Sequence, residues 1–143
     1  MVKSDYMSFF GLDPFFNVVM EGLSNFVDGK HYFDTLADDV LFEFLYEFPG
    51  WPRVVCGRDD LMALYSGYSQ NILLDRGDSL VVHPSKDGRF LTLEYEVHGK
   101  VLATGAAYDN RFAAVVTIEK RKIRRWRDYM DSLAAWKAMS KPA

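Results

Sequence analysis

Alternation of apolar and polar residues in the segment FLTLEYEVHG constrains the fold more than any other feature of the sequence. Every second residue from Leu91 to Val97 is apolar or aromatic, and the residues between them are polar. This period of two predicts a β-strand with one buried face. Tyr95 is expected to face inward, because a shift by one residue would bury two carboxylates. The alternative register would present Glu94 or Glu96 to the interior instead.

The rest of the sequence places helices first and strands later. Apolar residues repeat every three or four positions in DPFFNVVMEGLSNFVDG, with Asp13 as the predicted N-cap and Gly29 as the stop, and in GRDDLMALYSGYSQNIL. A short helix, KHYFDTLA, and a strand, VLFEFLYEF, lie between these two helices. Further strands are predicted in DSLVVHPS, in KVLATGAAYDNRFAAVVTIE as one long strand or a bent pair, and in RKIRRWRDYMD. SLAAWKAM follows as a short helix, and the order predicts an α+β fold with helices packed on one face of a sheet.

Composition limits the classes of protein to consider. The chain has 143 residues, of which 49% are hydrophobic and 15% aromatic, so we expect one folded domain over residues 1–143. Its net charge of −3 gives no general reason to bind nucleic acid or an anionic membrane. No apolar run is long enough to span a membrane and no signal peptide is evident, so we expect a cytoplasmic protein. The single cysteine and the three histidines lack sequence partners at metal-ligand spacing, so no metal is predicted.

The segment KIRRWRDYMD places an acidic residue in a basic and aromatic strand. In a regular strand Arg124, Trp126, Asp128 and Met130 share one face, and the other face holds Ile123, Arg125, Arg127 and Tyr129. Partly apolar company would remove water from Asp128, raise its pKa and suit it to general acid or base catalysis. The alternative is that Asp128 pairs with an arginine or caps the following helix. The basic residues would divide between the two faces, which argues against a nucleic-acid surface.

Three segments, GRDDL, TGAAYDNRFAAVVTI and KIRRWRDYMD, resemble the SnoaL-like family of the ketosteroid-isomerase and nuclear-transport-factor-two superfamily. LADDVLFEF, which follows an amphipathic helix, fits the same pattern, and the resemblance extends from about Pro14 to Met139. It implies a cone-shaped fold, in which a strongly curved mixed or antiparallel sheet wraps around N-terminal helices and leaves a pocket at its open end. It also implies a homodimer built on the outer face of the sheet.

The WRDY segment is also similar to the last strand of limonene-epoxide hydrolase, in which the matching Asp is catalytic. This similarity favours an inward Asp128. The positions that correspond to the other catalytic residues of that hydrolase hold Tyr95 and Val97 on the middle strand and Phe42 and Phe44 on the first strand. The groups that position a water in that enzyme therefore have no counterparts here.

The predicted pocket is mostly aromatic and has a few polar groups, which suits a small hydrophobic ligand. The candidate catalytic residues are Asp128, which would transfer a proton, and Tyr95 and Asn110, either of which would donate a hydrogen bond to a developing oxyanion. A buried Tyr95 needs a partner for its hydroxyl, and Asp128 is the candidate. The candidate substrate-binding residues are Phe42, Phe44, Tyr68, Tyr108, Phe112, Trp126 and Met130. The alternative is that the phenylalanines only fill the core.

These features predict a cofactor-free enzyme that acts on a small polyketide-, terpene- or steroid-like molecule by proton transfer at Asp128. The range of the family implies isomerase, cyclase, dehydratase or hydrolase chemistry. The alternative is a non-catalytic module of the same fold that binds a small ligand or assembles as a dimer. An open cavity next to Asp128 would favour the enzyme, and a filled interior or an ion-paired Asp128 would favour the module.

Overall fold

A curved six-stranded mixed sheet forms the body of the protein, with helices packed against its inner face. The structure, a computed structural model, describes residues 6–142. The strands are β1 (Leu36–Phe44), β2 (Val54–Cys56), β3 (Ile72–Pro84), β4 (Phe90–Val101), β5 (Ala107–Glu119) and β6 (Lys122–Met130). The α+β class predicted from the sequence is confirmed. The segment predicted as one long strand or a bent pair consists of the end of β4, a turn, and β5.

The strands lie in the order β2-β1-β6-β5-β4-β3. β6 is central: it pairs in parallel with β1 on one side and antiparallel with β5 on the other. The remaining neighbours are antiparallel. The parallel pairing aligns Phe44 of β1 with Asp128 of β6, so the first strand ends beside the predicted catalytic carboxylate.

Three α-helices, α1 (Asp13–Leu23), α2 (Arg58–Ser69) and α3 (Ser132–Met139), accompany the sheet, together with short 3-10 helices at Met7–Leu12 and Tyr32–Thr35. Asp13 is the first residue of α1 and not its N-cap, and the helix ends at Leu23 and not at Gly29. After Leu23 the chain tightens into a turn, in which the Phe26 N–H bonds to the Leu23 carbonyl three residues back at 2.8 Å. No helix within residues 6–142 is long and apolar enough to cross a membrane.

The buried core lies between the inner face of the sheet and helices α1 and α2. The predicted inward residues of β4 and β5 are buried, except that Phe112 is only half-buried. Gly77 of β3 allows α1 to approach the sheet closely. A Cβ atom there would lie 2.7 Å from the Pro14 carbonyl oxygen and 2.9 Å from Val18 Cγ1. The lack of a side chain at this position therefore helps the sheet to curve around the helix.

A β-bulge in β6 changes the predicted arrangement of the basic strand. Ile118 pairs with Ile123 but Thr117 pairs with Arg125, so Arg124 is the extra residue of the bulge. As a result Ile123 is buried in the core, and Arg124 lies on the outer side and not on the inward face with Trp126, contrary to the prediction for a regular strand. Alternation is regular from Trp126 onward, which turns Asp128 inward.

Candidate active site

A cavity of about 460 Å³ lies against the inner face of the sheet. Its walls come from β1 and β3–β6, from α2 and α3, from the segment 45–53 and from the N-terminal helices. Several lining residues are exposed at the protein surface, so the cavity opens to solvent. The lining residues are Leu12, Phe15, Phe44, Tyr46, Phe48, Gly50, Trp51, Ala63, Leu64, Tyr65, Gly67, Tyr68, Asn71, Ile72, Leu74, Tyr95, Val97, Tyr108, Phe112, Asp128, Met130, Ala135 and Met139.

Asp128 is the only charged side chain among these lining residues. It is 4% exposed, and its burial raises the pKa of the carboxyl from 3.8 to about 7. Two hydrogen bonds oppose this rise: Trp126 Nε1 donates to Oδ1 at 2.9 Å, and the Tyr46 hydroxyl donates to Oδ2 at 3.4 Å. Asp128 can therefore gain or lose a proton near neutral pH.

Asp128 neither caps the following helix nor pairs with an arginine, the two structural roles considered for it. Asp131 caps helix α3 by accepting a hydrogen bond from the Ala134 N–H at 3.0 Å. Arg124 pairs with Asp39 and Glu119 on the outer side of the sheet. Within residues 6–142 Asp128 forms no ion pair.

Tyr46 is a site residue that the sequence prediction missed. It follows Phe44 by two positions and continues the inward face of β1 by one more step, although the regular strand ends at Phe44. The Leu45 N–H bonds to the Asp128 carbonyl at 2.8 Å, which holds this extension next to β6. Extending the period of two beyond Phe44 would have identified Tyr46.

Tyr95 lies on the cavity wall, 2% exposed, with its ring stacked on Phe112 at a centroid distance of 5.3 Å. The predicted inward register of β4 is thus confirmed, and Glu94 instead contacts His83 on the outer face at 3.1 Å. The predicted hydrogen bond between Tyr95 and Asp128 is not formed. The Tyr95 hydroxyl is buried and has no hydrogen-bond partner among the described residues.

Tyr68, Tyr108 and Asn110 form a short polar chain on β5 and α2. The Tyr68 hydroxyl and Asn110 Nδ2 each donate to the Tyr108 hydroxyl oxygen at 3.2 Å. Asn110 Nδ2 also lies 3.5 Å from Met130 Sδ, and Asn110 Oδ1 accepts from the Arg111 N–H at 2.9 Å. Tyr68 and Tyr108 line the cavity as predicted, but Asn110 does not: it lies behind Tyr108.

The aromatic residues predicted to bind a ligand divide into lining and supporting groups. Phe44, Phe112 and Met130 line the cavity. Phe42 and Trp126 do not: both are fully buried and stack on each other at a centroid distance of 5.5 Å. Trp126 holds Asp128 in place through the hydrogen bond from its indole N–H, and Phe42 packs against the Trp126 ring. Burial alone could not separate these groups in the sequence, since both share the inward face.

Residues outside the sheet complete the cavity, and apart from Tyr68 the sequence prediction did not assign them to it. Tyr65 of α2 belongs to the predicted apolar face of that helix, so its burial was indicated but its position in the cavity was not. Trp51 stands in an irregular segment, PGWP, which has no period from which to infer a direction. Its indole N–H is buried and has no hydrogen-bond partner in the part of the chain that the structure describes.

The basic residues of β6 are largely paired with acidic neighbours. Arg125 Nε lies 2.7 Å from Glu43 Oε1, Arg127 Nε lies 3.6 Å from the same oxygen, and Arg124 pairs with Asp39. The positive charges on this strand are therefore largely neutralised by acidic side chains of the same chain.

A second polar cluster lies on the outer face, away from the cavity. His98 Nδ1 lies 2.7 Å from Asp109, and its Nε2 lies 3.2 Å from Asp78 and 3.6 Å from Glu96. Asp78, Glu96 and His98 could hold a divalent ion, because one ligand atom from each lies within 4.8 Å of the others. A protonated His98 can neutralise the same carboxylates without a metal ion. The hydrogen bond to Asp109 is the main cause that raises the pKa of His98. Sequence spacing missed this cluster, because cross-strand neighbours form it.

No protein-family model matches the sequence. A curated relative, the uncharacterized protein YesE of Bacillus subtilis strain 168, is 26% identical over 111 residues, which cover 78% of this chain and 76% of that protein.

Solved structures show the same fold. A crystal structure described as a proposed isomerase from Bacillus subtilis has a TM-score of 0.73 at 23% identity and covers 90% of this chain and 89% of that chain. An NTF2-like protein from Burkholderia xenovorans LB400 has a TM-score of 0.63 at 21% identity, covering 73% and 77%. A proposed polyketide cyclase from Pseudomonas putida KT2440 has a TM-score of 0.67 at 19% identity, covering 92% and 96%. The chain therefore has the NTF2-like fold, and the predicted cone-shaped architecture is confirmed.

Proposed function

We propose that this protein is a cofactor-free enzyme that moves a proton within a small, mostly apolar molecule, by isomerase- or cyclase-type chemistry. The observation that carries the proposal is the single buried carboxylate of Asp128 on an otherwise uncharged, largely aromatic cavity. A base whose pKa is near 7 is half-ionised at neutral pH and can both accept and return a proton. Structural neighbours described as an isomerase and a polyketide cyclase support the same class of chemistry.

In this mechanism the ionised Asp128 takes a proton from a carbon next to a carbonyl group of the bound ligand. The electrons of the broken C–H bond move toward the carbonyl oxygen, which then needs a hydrogen-bond donor. The Tyr95 hydroxyl is buried in the wall and Asn110 lies behind Tyr108, so neither is in a position to be that donor without rearrangement. Another hydroxyl of the cavity wall has to supply the hydrogen bond, and Asn110 orients Tyr108.

Epoxide hydrolysis is not proposed. The similarity to limonene-epoxide hydrolase is confined to the WRDY segment and stays a prediction. Phe42 is buried behind the cavity, Phe44 offers no polar atom to it, and the Tyr95 hydroxyl is sealed in the wall. These residues cannot hold an attacking water in the way that the hydrolase residues would.

Deuterium exchange into 2-tetralone tests the proposed proton transfer, because the CH₂ between its ring and its carbonyl group is activated. We expect the protein in D₂O to accelerate exchange at this carbon, with a rate that rises with pH through about 7 as Asp128 becomes ionised. Asp128→Asn keeps the shape and an acceptor for Trp126 but removes the base, and should lower the rate by about 10²–10⁴-fold. Asp75→Asn, which changes an exposed carboxylate, is the matched control.

Exchange that is equally fast in Asp128→Asn and in the unchanged protein would show that Asp128 is not the base. Binding of 2-tetralone without accelerated exchange would instead favour the alternative function, a small-ligand-binding module.

A homodimer through the outer sheet face is part of the same proposal. Val81 and Tyr129 are 46% and 40% exposed on this face, in a cross-strand row with Glu94 and Ala113. Exposed apolar side chains of this kind are typical of contact surfaces. Sedimentation equilibrium measures the native mass, and a monomer at micromolar concentration would contradict the dimer.

A further inference from the structure

We propose that Asp78, Glu96 and His98 form a binding site for one divalent transition-metal ion, such as Zn²⁺, on the outer face of the sheet. Asp109 supports this site by orienting the His98 ring, and the ion would fasten the edge strand β3 to β4. The inference goes beyond the proposed function and does not depend on it, because none of the three ligand residues lines the cavity.

Strand pairing brings two like charges together at this place. Asp78 of β3 and Glu96 of β4 stand directly opposite each other in the antiparallel ladder, and their side chains are 41% and 45% exposed. Like charges in directly opposite positions destabilise a sheet. A cation between the two carboxylates would remove this repulsion.

His98 presents a ring nitrogen to both carboxylates. Its Nε2 lies 3.2 Å from Asp78 Oδ1 and 3.6 Å from Glu96 Oε1. Its Nδ1 lies 2.7 Å from Asp109 Oδ1. When Nδ1 carries the proton and donates to Asp109, the lone pair of Nε2 faces two carboxylate oxygens that cannot donate, and only a proton or a metal ion can join the three atoms. A ligand histidine whose other nitrogen donates to a carboxylate is the common arrangement at metal sites.

The balance of charge favours a divalent ion over a proton. Asp78, Glu96 and Asp109 bring three negative charges. Arg76, which lies 3.1 Å from Asp78 Oδ2, is the one arginine or lysine that pairs with any of them among the described residues. A proton on His98 adds one positive charge and leaves one negative charge unbalanced. A divalent ion bound to neutral His98 adds two positive charges and brings the sum to zero.

The spacing of the ligand atoms agrees with zinc. Zinc binds imidazole nitrogen and carboxylate oxygen at about 2.0–2.2 Å, so two ligand atoms of one tetrahedral ion are about 3.3–3.6 Å apart. The separations of 3.2 and 3.6 Å from His98 Nε2 are close to this range, and one ligand atom from each residue lies within 4.8 Å of the others. Both carboxylates are partly exposed and can close on the ion. A nitrogen ligand favours zinc and similar transition metals over Mg²⁺ and Ca²⁺, which prefer oxygen.

The proposed ion would act where β3 is least regular. β3 is an edge strand, and its register with β4 shifts between Leu74 and Arg76 and again between Asp78 and Val81. Between these two shifts only residues 76–78 pair with residues 96–98, and all three ligands lie in this short segment. An ion that joins them would hold the segment together. β3 also contributes Leu74 to the cavity, so the ion would steady that part of its wall.

Calorimetric titration of the full chain with ZnCl₂ at pH 8, where protons compete less for the histidine, tests the site. We expect one Zn²⁺ for each chain, and an unfolding temperature that rises with the Zn²⁺ concentration because the ion binds the folded state. His98→Gln and Glu96→Gln each remove a ligand and should weaken binding at least about 100-fold. Asp109→Ala removes the support of the ring and should weaken binding about 10–100-fold.

His83→Gln is the matched control. His83 joins the same two strands, but among the residues that the structure describes it pairs with one carboxylate, Glu94, at 3.1 Å and has no third ligand. Zn²⁺ binding by His83→Gln should therefore equal that of the unchanged protein.

Several outcomes would overturn the site. Binding by His98→Gln as tight as that of the unchanged protein would do so, and so would loss of binding in His83→Gln. If the unchanged protein took up no Zn²⁺ and its unfolding temperature stayed constant, the cluster would hold a proton only; this titration decides the question even where a variant does not fold. Failure here would leave the proposed function untouched, because exchange at Asp128 is measured without the ion.

Discussion

At the scale of single residues, the environment of Asp128 determines what the site can do. Burial favours the neutral carboxylic acid, and the Trp126 and Tyr46 donors favour the carboxylate. The balance brings its pKa to about 7, and none of the described residues that line the cavity is a cation that would hold the group permanently ionised. The same carboxylate on the protein surface would remain ionised at neutral pH and would be a weaker base.

Burial of Asp128 should also make stability depend on pH. Its folded-state pKa is raised, so its contribution to the free energy of unfolding is fully present below about pH 4 and is lost as the pH rises through about 7. Between these limits the loss is about 1.4 kcal/mol for each pH unit. Asp128→Asn cannot titrate, so the stability of the unchanged protein relative to this variant should fall by about 3 kcal/mol between pH 5 and pH 8. Urea denaturation at both pH values measures this change.

Asp75→Asn provides the comparison, because its exposed position should give a difference that is nearly the same at both pH values. A difference between the unchanged protein and Asp128→Asn that did not vary with pH would show that Asp128 is not buried in solution.

At the scale of secondary-structure elements, periodicity predicted the inner faces of β4 and β5 but not the ends of strands or their irregularities. The bulge at Arg124 arises from pairing with β5, so the sequence of the strand alone does not predict it. Tyr46 lies past the last regular residue of β1, yet pairing with β6 keeps it on the inward side. Contacts between strands that are distant in sequence decide both features.

The N-cap of α3 links this helix to the cavity, since Ala135 and Met139 are part of the wall. Asp131→Ala removes the acceptor for the Ala134 N–H and should lower the free energy of unfolding by about 1 kcal/mol. Asp131→Asn keeps a capping oxygen and loses only the ion pair with the exposed Arg111, so it should remain close to the unchanged protein. Urea denaturation of the two variants distinguishes the cap from the ion pair, and equal destabilisation by both would rule out the cap as the cause.

At the scale of the whole molecule, close contact between α1 and the curved sheet requires a glycine at position 77. Gly77→Ala would place a methyl group 2.7 Å from the Pro14 carbonyl oxygen and should destabilise the protein by about 1–3 kcal/mol. Gly67→Ala is the control, because its Cβ would meet no atom within 4 Å and α2 should gain up to about 1 kcal/mol. Thermal unfolding compares the two, and a Gly77→Ala protein as stable as the unchanged one would show that the helix can shift without cost.

The overall architecture was more predictable than the cavity. Alternation in β4 and the inward Asp128 of β6 follow from local patterns, and the structure confirms both directions. The wall of the cavity, by contrast, includes Trp51 from an irregular segment and Tyr65 from a helix. Whether an inward residue such as Phe42 fills the core or touches a ligand depends on its depth in the sheet, which no period in the sequence encodes.

The central place of β6 has a consequence for biosynthesis. Because β6 separates β1 from β5, a chain still emerging from the ribosome can pair β1 with β2, and β3 with β4 and β5, but no strand yet joins the two groups. β6 is translated after the other five strands, joins these two groups, and in the same step brings the carboxyl group of Asp128 into the cavity. A product terminated before this strand would lack both a continuous sheet and the carboxyl group of the cavity, so under the proposed function a chain shortened in this way should show no turnover.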